Sequence, residues 1–363
     1  MHKRVQSEIS CRYLALIYYL CRIGNNKNTN DMKTFRQLFC AVVATIICAM
    51  PAVAQQTELK FNSNKKFKIV QFTDIHWKYG NPASDEAGQR MAEVLDAEKP
   101  DFVMFTGDLI FAKPAREGLD KALEAATSRG IPFAVTWGNH DDEQDLKREE
   151  LSAYVATKPG NLTSTVEGIS GVTNYALTIK SANGKGDAAI IYVFDSNSYS
   201  PIKEVKGYDW IKHDQVEWYI RTSKQYTAAN NGKPMPALAF FHIPLPEYHE
   251  AVQNEGSYFV GTRKEKACAP ALNSGLATAM LEAGDVMGVF VGHDHVNDYV
   301  VDWRGILLGY GRFTGGATVY HDIPQGNGAR VIEITEGERT IKTWIRIKGG
   351  KVINEVNYPA DAE

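Results

Sequence analysis

The sequence predicts an α/β fold in which helices cover a sheet of parallel strands and further strands form a second sheet. Three observations carry this expectation. Apolar β-rich runs alternate with amphipathic helical patterns over residues 67–137, the middle of the chain reads as paired strands, and a hairpin closes it near residue 347.

Phe67–Thr73 (FKIVQFT) reads as a buried strand. From Glu86 to Glu98, Ala87, Met91, Val94 and Leu95 share one helical stripe. Asp101–Thr106 (DFVMFT) is the second strand, and Leu119, Leu123 and Ala126 mark a helix after it. Ile131–Trp137 is the third, with Pro132 near its start, where a missing N–H is tolerated. Asn174–Ile179 and Ala188–Phe194 form a strand pair joined by Asn183-Gly184-Lys185-Gly186. A helix covers Asp214 to Lys224, and strands follow at Ala237–Phe241, Val286–Val291 and Ile306–Tyr310. Arg330–Thr335 and Thr340–Ile347, joined through Glu336-Gly337-Glu338, make the closing hairpin. Nothing inside 65–348 looks like a repeat, a low-complexity linker or a composition break. One domain with two sheets is therefore expected, over residues 55–363 with a core of about 65–348.

The residues before it read differently. Lys33 and Arg36 form a basic segment, Leu38–Met50 an uninterrupted apolar one, and Ala52-Val53-Ala54 a small-residue cleavage site. Residues 32–54 are thus a secretory signal peptide starting at Met32, and 1–31 an upstream extension of the reading frame. The apolar run is short for a retained anchor, so an exported protein, periplasmic or secreted, with no stable membrane anchor is expected.

Cleavage after Ala54 would remove seven of the 40 basic residues and two of the 43 acidic ones, which leaves a net charge of −8. Such a balance argues against a nucleic-acid partner. Four of the five cysteines would leave too, so Cys268 stands alone and no internal disulfide supports the fold. Five of the eight remaining histidines fall in polar clusters at strand ends.

Those clusters are Asp74-Ile75-His76, Gly107-Asp108, Gly138-Asn139-His140-Asp141, His242 and Gly292-His293-Asp294-His295, each following an apolar run. Ligands bind at the carboxyl edge of open α/β sheets, where such loops converge. Asp, Asn and His offer oxygen and nitrogen donors without a thiolate, a set suited to Mn, Fe or Zn and unlike a structural zinc site. The alternation in Asp74-x-His76 and His293-x-His295 turns both side chains of each pair to one cavity if the backbone there is extended. Seven donors can serve two metals when one carboxylate bridges them. Two such cations would clamp a phosphoryl group and activate a water between them.

The motifs, in this order, resemble the calcineurin-like metallophosphoesterase superfamily. Asp74–Trp77, Phe240–Tyr248 (FFHIPLPEY), Val291–Tyr299 (VGHDHVNDY) and Tyr310-Gly311-Arg312 are similar to its purple-acid-phosphatase-related branch of small phosphatases. The resemblance implies a four-layer sandwich of two mixed β-sheets flanked by helices. It implies that Asp74, His76 and His295 hold the first of two divalent or trivalent transition metals, that Asp108 bridges, and that Asn139, His242 and His293 hold the second. His140 would assist the leaving group rather than bind metal. The reaction implied is hydrolysis of a small phosphoester by a metal-bridging hydroxide, with a phosphomonoester first and a nucleotide or lipid-headgroup diester second; a non-catalytic binding protein on the same fold is a further alternative. One position departs from the family: three residues after Asp108, purple acid phosphatases carry a tyrosinate iron ligand and Ser/Thr phosphatases an aspartate, but this chain has Phe111. No purple charge-transfer colour is expected, and whatever orients His140 lies elsewhere.

Other residues keep two readings each. Arg312 binds a substrate phosphate oxygen through its donor fork or forms an ordinary salt bridge. Asp141 supports the site or caps its loop, and Asp294, between two ligands, points away. Glu247 and Tyr248 line the cleft or belong to the loop after His242, and His249 belongs to a solvated loop. His213 and His321 have no assigned role, Cys268 is inert, and Asn161-Leu162-Thr163 matches a glycosylation triplet.

Overall fold

The structure is a computed structural model that describes residues 58–254 and 256–360. The expected extension at 1–31 and signal peptide at 32–54 lie outside the described residues. Among those described, no helix is long and apolar enough to cross a membrane.

Two sheets pack face to face. One has six strands, built around β2 (Lys66–Phe72), β3 (Phe102–Thr106) and β4 (Phe133–Thr136), which run parallel. On the other side of β2 the antiparallel strands β12 (Gly328–Thr335), β13 (Ile341–Ile347) and β14 (Val352–Tyr358) complete it. The eight-stranded sheet runs β1 (Leu59–Lys60), β5 (Tyr175–Lys180), β6 (Asp187–Val193), β7 (Ala237–Phe240), β9 (Val286–Val291), β11 (Ile306–Tyr310), β10 (Val300–Trp303) and β8 (Phe259–Val260). Its centre, from β6 through β7 and β9 to β11, is parallel.

Period-two side-chain alternation makes the layers. In β2, Phe67 and Ile69 point between the sheets while Val70 and Phe72 meet the outer helices. In β3, Phe102 and Met104 point inward, and Val103 and Phe105 outward. In the other sheet Leu238 and Phe240 face the first sheet, and Ala237 and Ala239 the helices behind. Helices α1 (Asp85–Glu98), α2 (Ala115–Thr127) and α3 (Arg148–Val155) cover the six-stranded sheet. Their apolar faces include the four residues expected for the first helix, Ala87, Met91, Val94 and Leu95. Helices α4 (His213–Ala229), α5 (Glu247–Ala251) and α6 (Leu276–Ala283) cover the eight-stranded one. The result is the four-layer sandwich of two mixed sheets.

The core extends beyond the expected limit of 348, because β14 pairs with β13. Its sequence, VINEVNY, buries only Val356 and Tyr358. An edge strand with one wet face gives a weak apolar signal, which is why the sequence reading stopped short of it.

Candidate metal centre

All five polar clusters emerge from the carboxyl ends of parallel strands. Asp74 and His76 follow β2, Asp108 follows β3, and Asn139 and His140 follow β4. His242 follows β7, and His293 and His295 follow β9. The first sheet therefore supplies four of the seven expected ligands and the second sheet three.

These side chains converge. Asp74, His76, Asp108 and His295 form one group of donor atoms lying within 4.8 Å of one another, and Asp108, His242 and His293 form another. Asp108 is common to both, as a bridging carboxylate must be. Its Oδ2 lies 3.2 Å from His242 Nε2 and 3.6 Å from His76 Nε2. Asn139 is fully buried and its Oδ1 has no partner. Its loop reaches Asp108 through the His140 N–H, which donates to Asp108 Oδ1 at 2.9 Å.

The donor set fits cations. His295 Nδ1 sits 2.8 Å from the Tyr320 carbonyl, and His242 Nδ1 2.8 Å from that of Thr106. A ring that donates its Nδ1–H to a carbonyl keeps its lone pair on Nε2, the tautomer a metal ligand needs. The Nε2 atoms of His76 and His295 lie 3.0 Å apart, and both residues belong to the first donor group. Asn139 Oδ1 is buried without a hydrogen-bond partner, and His242 Nε2 has only the Asp108 carboxylate nearby, at 3.2 Å. A buried unpaired polar atom costs about 1–3 kcal/mol, and bound cations would satisfy these.

Burial sets the proton affinities. It holds His76 and His293 well below the usual histidine range and His295 at about 4, so all three are neutral ligands. Burial alone would raise Asp108, but His242, His76 and His140 together outweigh this and hold the carboxyl well below the usual range. Burial alone would lower His242, but Asp108, Asp74 and the Thr106 carbonyl together push it up to about 9. Burial raises Asp74 to about 7. The pair Asp108–His242 is the charged heart of the site, and a cation competes with the His242 proton for one lone pair.

The backbone explains the convergence in a way the sequence reading did not. The two Asp/His-x-His pairs are not extended: Asp74, His76 and His293 have φ of +55°, +47° and +78°, and Asp108 has +53°. Left-handed conformations of this kind cost on the order of 1–3 kcal/mol each and persist where surroundings enforce them. Two motif glycines are required by close approach. A Cβ at Gly138 would overlap Asp108 Oδ1, and one at Gly292 would overlap Thr73 Oγ1 in the opposite sheet.

Asp141 holds this arrangement together. Its Oδ2 accepts from the N–H groups of Asp108 (2.9 Å) and Gly138 (2.8 Å), and its Oδ1 from Leu109 (2.7 Å). It therefore caps its loop and supports the site at once. Arg148 in α3 adds a second brace, with its guanidinium on the Gly138 carbonyl (2.6 Å) and on Asp195 (2.6 Å).

His140 stands at the edge, its side chain 28% exposed, its ring centroid 5.6 Å from that of His76. Phe111 packs on both rings and offers no ligand or acceptor. The group that orients His140 is Glu143, whose Oε2 lies 2.7 Å from Nδ1. Glu143 Oε1 accepts from Tyr199 Oη at 3.1 Å, and Tyr199 Oη accepts from Asn139 Nδ2 at 3.3 Å. Sequence reasoning passed over Glu143 because an acid three residues after a histidine, in the run Asp141-Asp142-Glu143, looks like a solvated turn. Tyr199, Tyr208 and Tyr320, which touch the site, lie in loops with no pattern to mark them.

Arg312 corrects an expectation. It is fully buried, ion-paired to Asp298, and its remaining donors engage the carbonyls of Pro324 and Gly326. Four of its five N–H groups are thereby spent inside the protein, and the side chain has no exposed surface to offer a substrate. Arg312→Leu is expected to lower stability by roughly 3–5 kcal/mol, since it strands the Asp298 charge. Urea unfolding measures this; unchanged stability with a raised KM would return Arg312 to the substrate.

The remaining residues take plain roles. Asp294 turns away from the metals and accepts from Tyr310 Oη and the Cys268 N–H. Tyr248 enters the core, where its hydroxyl meets the Val289 and Gly309 carbonyls, and Glu247 is held by Asn273. His249 pairs with Gln253, His321 with the Val319 carbonyl, and His213 begins α4. Cys268 is a free, exposed cysteine, whose thiol desolvation and the neighbouring Asp294 push up to about 12. Asn161 Oδ1 accepts from the Thr163 N–H.

Comparison with known proteins agrees with this geometry. The sequence profile of the family described as calcineurin-like phosphoesterase matches residues 67–297. An Arabidopsis thaliana protein named "Probable inactive purple acid phosphatase 29" is 33% identical over 357 residues, covering 85% of this chain and 90% of that one. "Phosphatase DCR2" of Saccharomyces cerevisiae is 35% identical over 323 residues, covering 78% of this chain and 54% of its own length. A dimetal phosphatase from Danio rerio shares the fold with a TM-score of 0.56 at 13% identity, covering 80% of this chain and 98% of its own. With its ligand motifs in family order on this fold, the chain belongs to the calcineurin-like phosphoesterase family.

Proposed function

We propose that this protein is an exported phosphomonoesterase that works with two transition metals. The observation that carries the reading is the pair of buried donor groups sharing Asp108. Export rests on the three-part leader of residues 32–54.

When bound, Mn, Fe or Zn would supply Lewis acidity for the phosphoryl oxygens and lower the pKa of a water that serves as the nucleophile. Asp74, His76 and His295 would hold one ion, Asn139, His242 and His293 the other, with Asp108 between. The protein's own part is positioning and proton traffic. Glu143 on Nδ1 leaves His140 Nε2 facing the departing oxygen and stabilises the doubly protonated ring. The Nε2–H passes to the alkoxide as it forms and leaves the neutral ring with its proton on Nδ1. Asp141 and Arg148 keep the loops of Asp108 and His140 in register. The Phe111 ring excludes water from the face of His140 and leaves no phenolate for an iron charge-transfer band.

The word "inactive" in the name of the plant relative favours a second reading, a metal-binding protein without catalysis. One experiment separates them. Purified protein is loaded with Mn, Fe or Zn, its metal content is measured, and turnover of p-nitrophenyl phosphate and its bis-ester is compared. The expected result is about two metals per chain and faster monoester hydrolysis. Faster diester turnover would make it a diesterase, bound metals without turnover would select the second reading, and protein that takes up no metal would overturn both.

A further inference from the structure

The mouth of the metal centre is aromatic. Among the described residues eight large hydrophobic side chains are exposed, and the two most exposed are Tyr320 at 58% and Tyr199 at 48%. Both touch candidate ligands. The Tyr320 ring stacks on His295 with centroids 4.3 Å apart at 22°, and Tyr199 reaches Asn139 through its hydroxyl. Tyr208 stacks on Tyr199 (5.7 Å, 24°) and sets its edge against His293 at 4.3 Å. The exposed rings thus adjoin ligands of different metals, Tyr320 beside the first and Tyr199–Tyr208 beside the second.

Ligand support accounts for the Tyr199 hydroxyl, which bonds Asn139 and Glu143, but not for the exposure of the rings. Tyr320 fixes His295 through its backbone carbonyl, which any residue would provide. The Tyr199–Tyr208 pair closes a projecting loop, with Ser200 N–H bonded to the Gly207 carbonyl at 3.0 Å and Ile202 exposed beyond it. Exposed apolar faces beside a buried polar centre are what an organic ligand would cover. The buried guanidiniums do not serve the mouth: Arg312, Arg330 and Arg148 are engaged inside the protein, and the Lys78 ammonium sits over the Phe111 ring at 4.9 Å.

We propose that the site takes phosphomonoesters whose alcohol carries a planar aromatic ring, stacked on the exposed faces of Tyr199 and Tyr320 while the metals hold the phosphate. The inference rests on the phosphoesterase reading and adds the substrate class. Stacking of a base on an aromatic side chain changes affinity by roughly 5- to 150-fold, and aryl rings pair with tyrosine through the same offset or edge geometries.

Matched substrate pairs with similar leaving alcohols test it on metal-loaded protein: AMP against ribose 5-phosphate, and 2-phenylethyl phosphate against ethyl phosphate. The ring-bearing member is expected to show a KM about tenfold lower in at least one pair. A response confined to the nucleotide pair would identify a base as the ring, and one in both pairs any aryl group. Tyr199→Leu and Tyr320→Leu should shrink the ratio, and Tyr199→Phe, which keeps the ring, should preserve it. A ratio near one in both pairs, or one that survives both leucine variants, overturns the inference. If no phosphoester is turned over, the catalytic reading fails separately, and calorimetric Kd values for the same pairs still decide the role of the rings.

Discussion

Asp108→Ala is expected to abolish turnover, with kcat/KM falling by on the order of 10³-fold or more and bound metal dropping below one per chain. The magnitude follows from what is lost. Lewis-acid stabilisation of the phosphoryl charge contributes several kcal/mol to the barrier, and each 1.36 kcal/mol is tenfold in rate. Both donor groups need this one carboxylate. Its removal also leaves His242 without the charge that raises its pKa to about 9, and burial then favours the neutral ring. Metal analysis and steady-state assays check the result. Two metals retained with near-normal kcat would show that Asp108 does not bridge.

His140→Ala is expected to lower kcat by about 10²–10⁴-fold on alkyl phosphates, the usual worth of a positioned general acid. Nitrophenyl phosphate should lose far less, because nitrophenolate leaves without a proton. Glu143→Gln should follow the same pattern with a smaller loss, about 10–100-fold. The amide can still touch Nδ1 but lacks the negative charge that stabilises the doubly protonated ring. Metal content should stay unchanged in both variants, since neither residue belongs to the donor groups. An equal loss on all substrates would mean that the loop, rather than proton delivery, had been damaged.

The architecture was legible in the sequence wherever strands are buried on both faces. Phe102–Thr106 is buried throughout and reads as a continuous apolar run. Strands at the sheet edges, such as Phe259–Val260 and Val352–Tyr358, bury few side chains and gave no such signal. The ligands were legible because each lies just past such a run and belongs to a scarce residue type. Arg312 kept two readings because sequence shows a guanidinium but not its partner, and Asp298 lies 14 residues away. Glu143 was missed for the opposite reason. Its partner is three residues off, and only the turn over Asp141–Glu143 brings the acid to the histidine. The Asp-x-His spacing gave the right cavity for the wrong reason, since left-handed backbone, not an extended one, aims the side chains.

The division of ligands between the sheets has a consequence for how the molecule matures. Neither sheet alone carries a complete donor group, because Asp74, His76 and Asp108 come from one and His295, His242 and His293 from the other. The seam between them is already stitched by protein bonds, from His293 N–H to Asp74, from Gln71 to the Val291 carbonyl and between His242 and Thr106. Cation uptake would therefore report whether the two sheets have docked in register. A chain whose halves have docked even one strand position out of step would present half-sites, and the metals would pass it by.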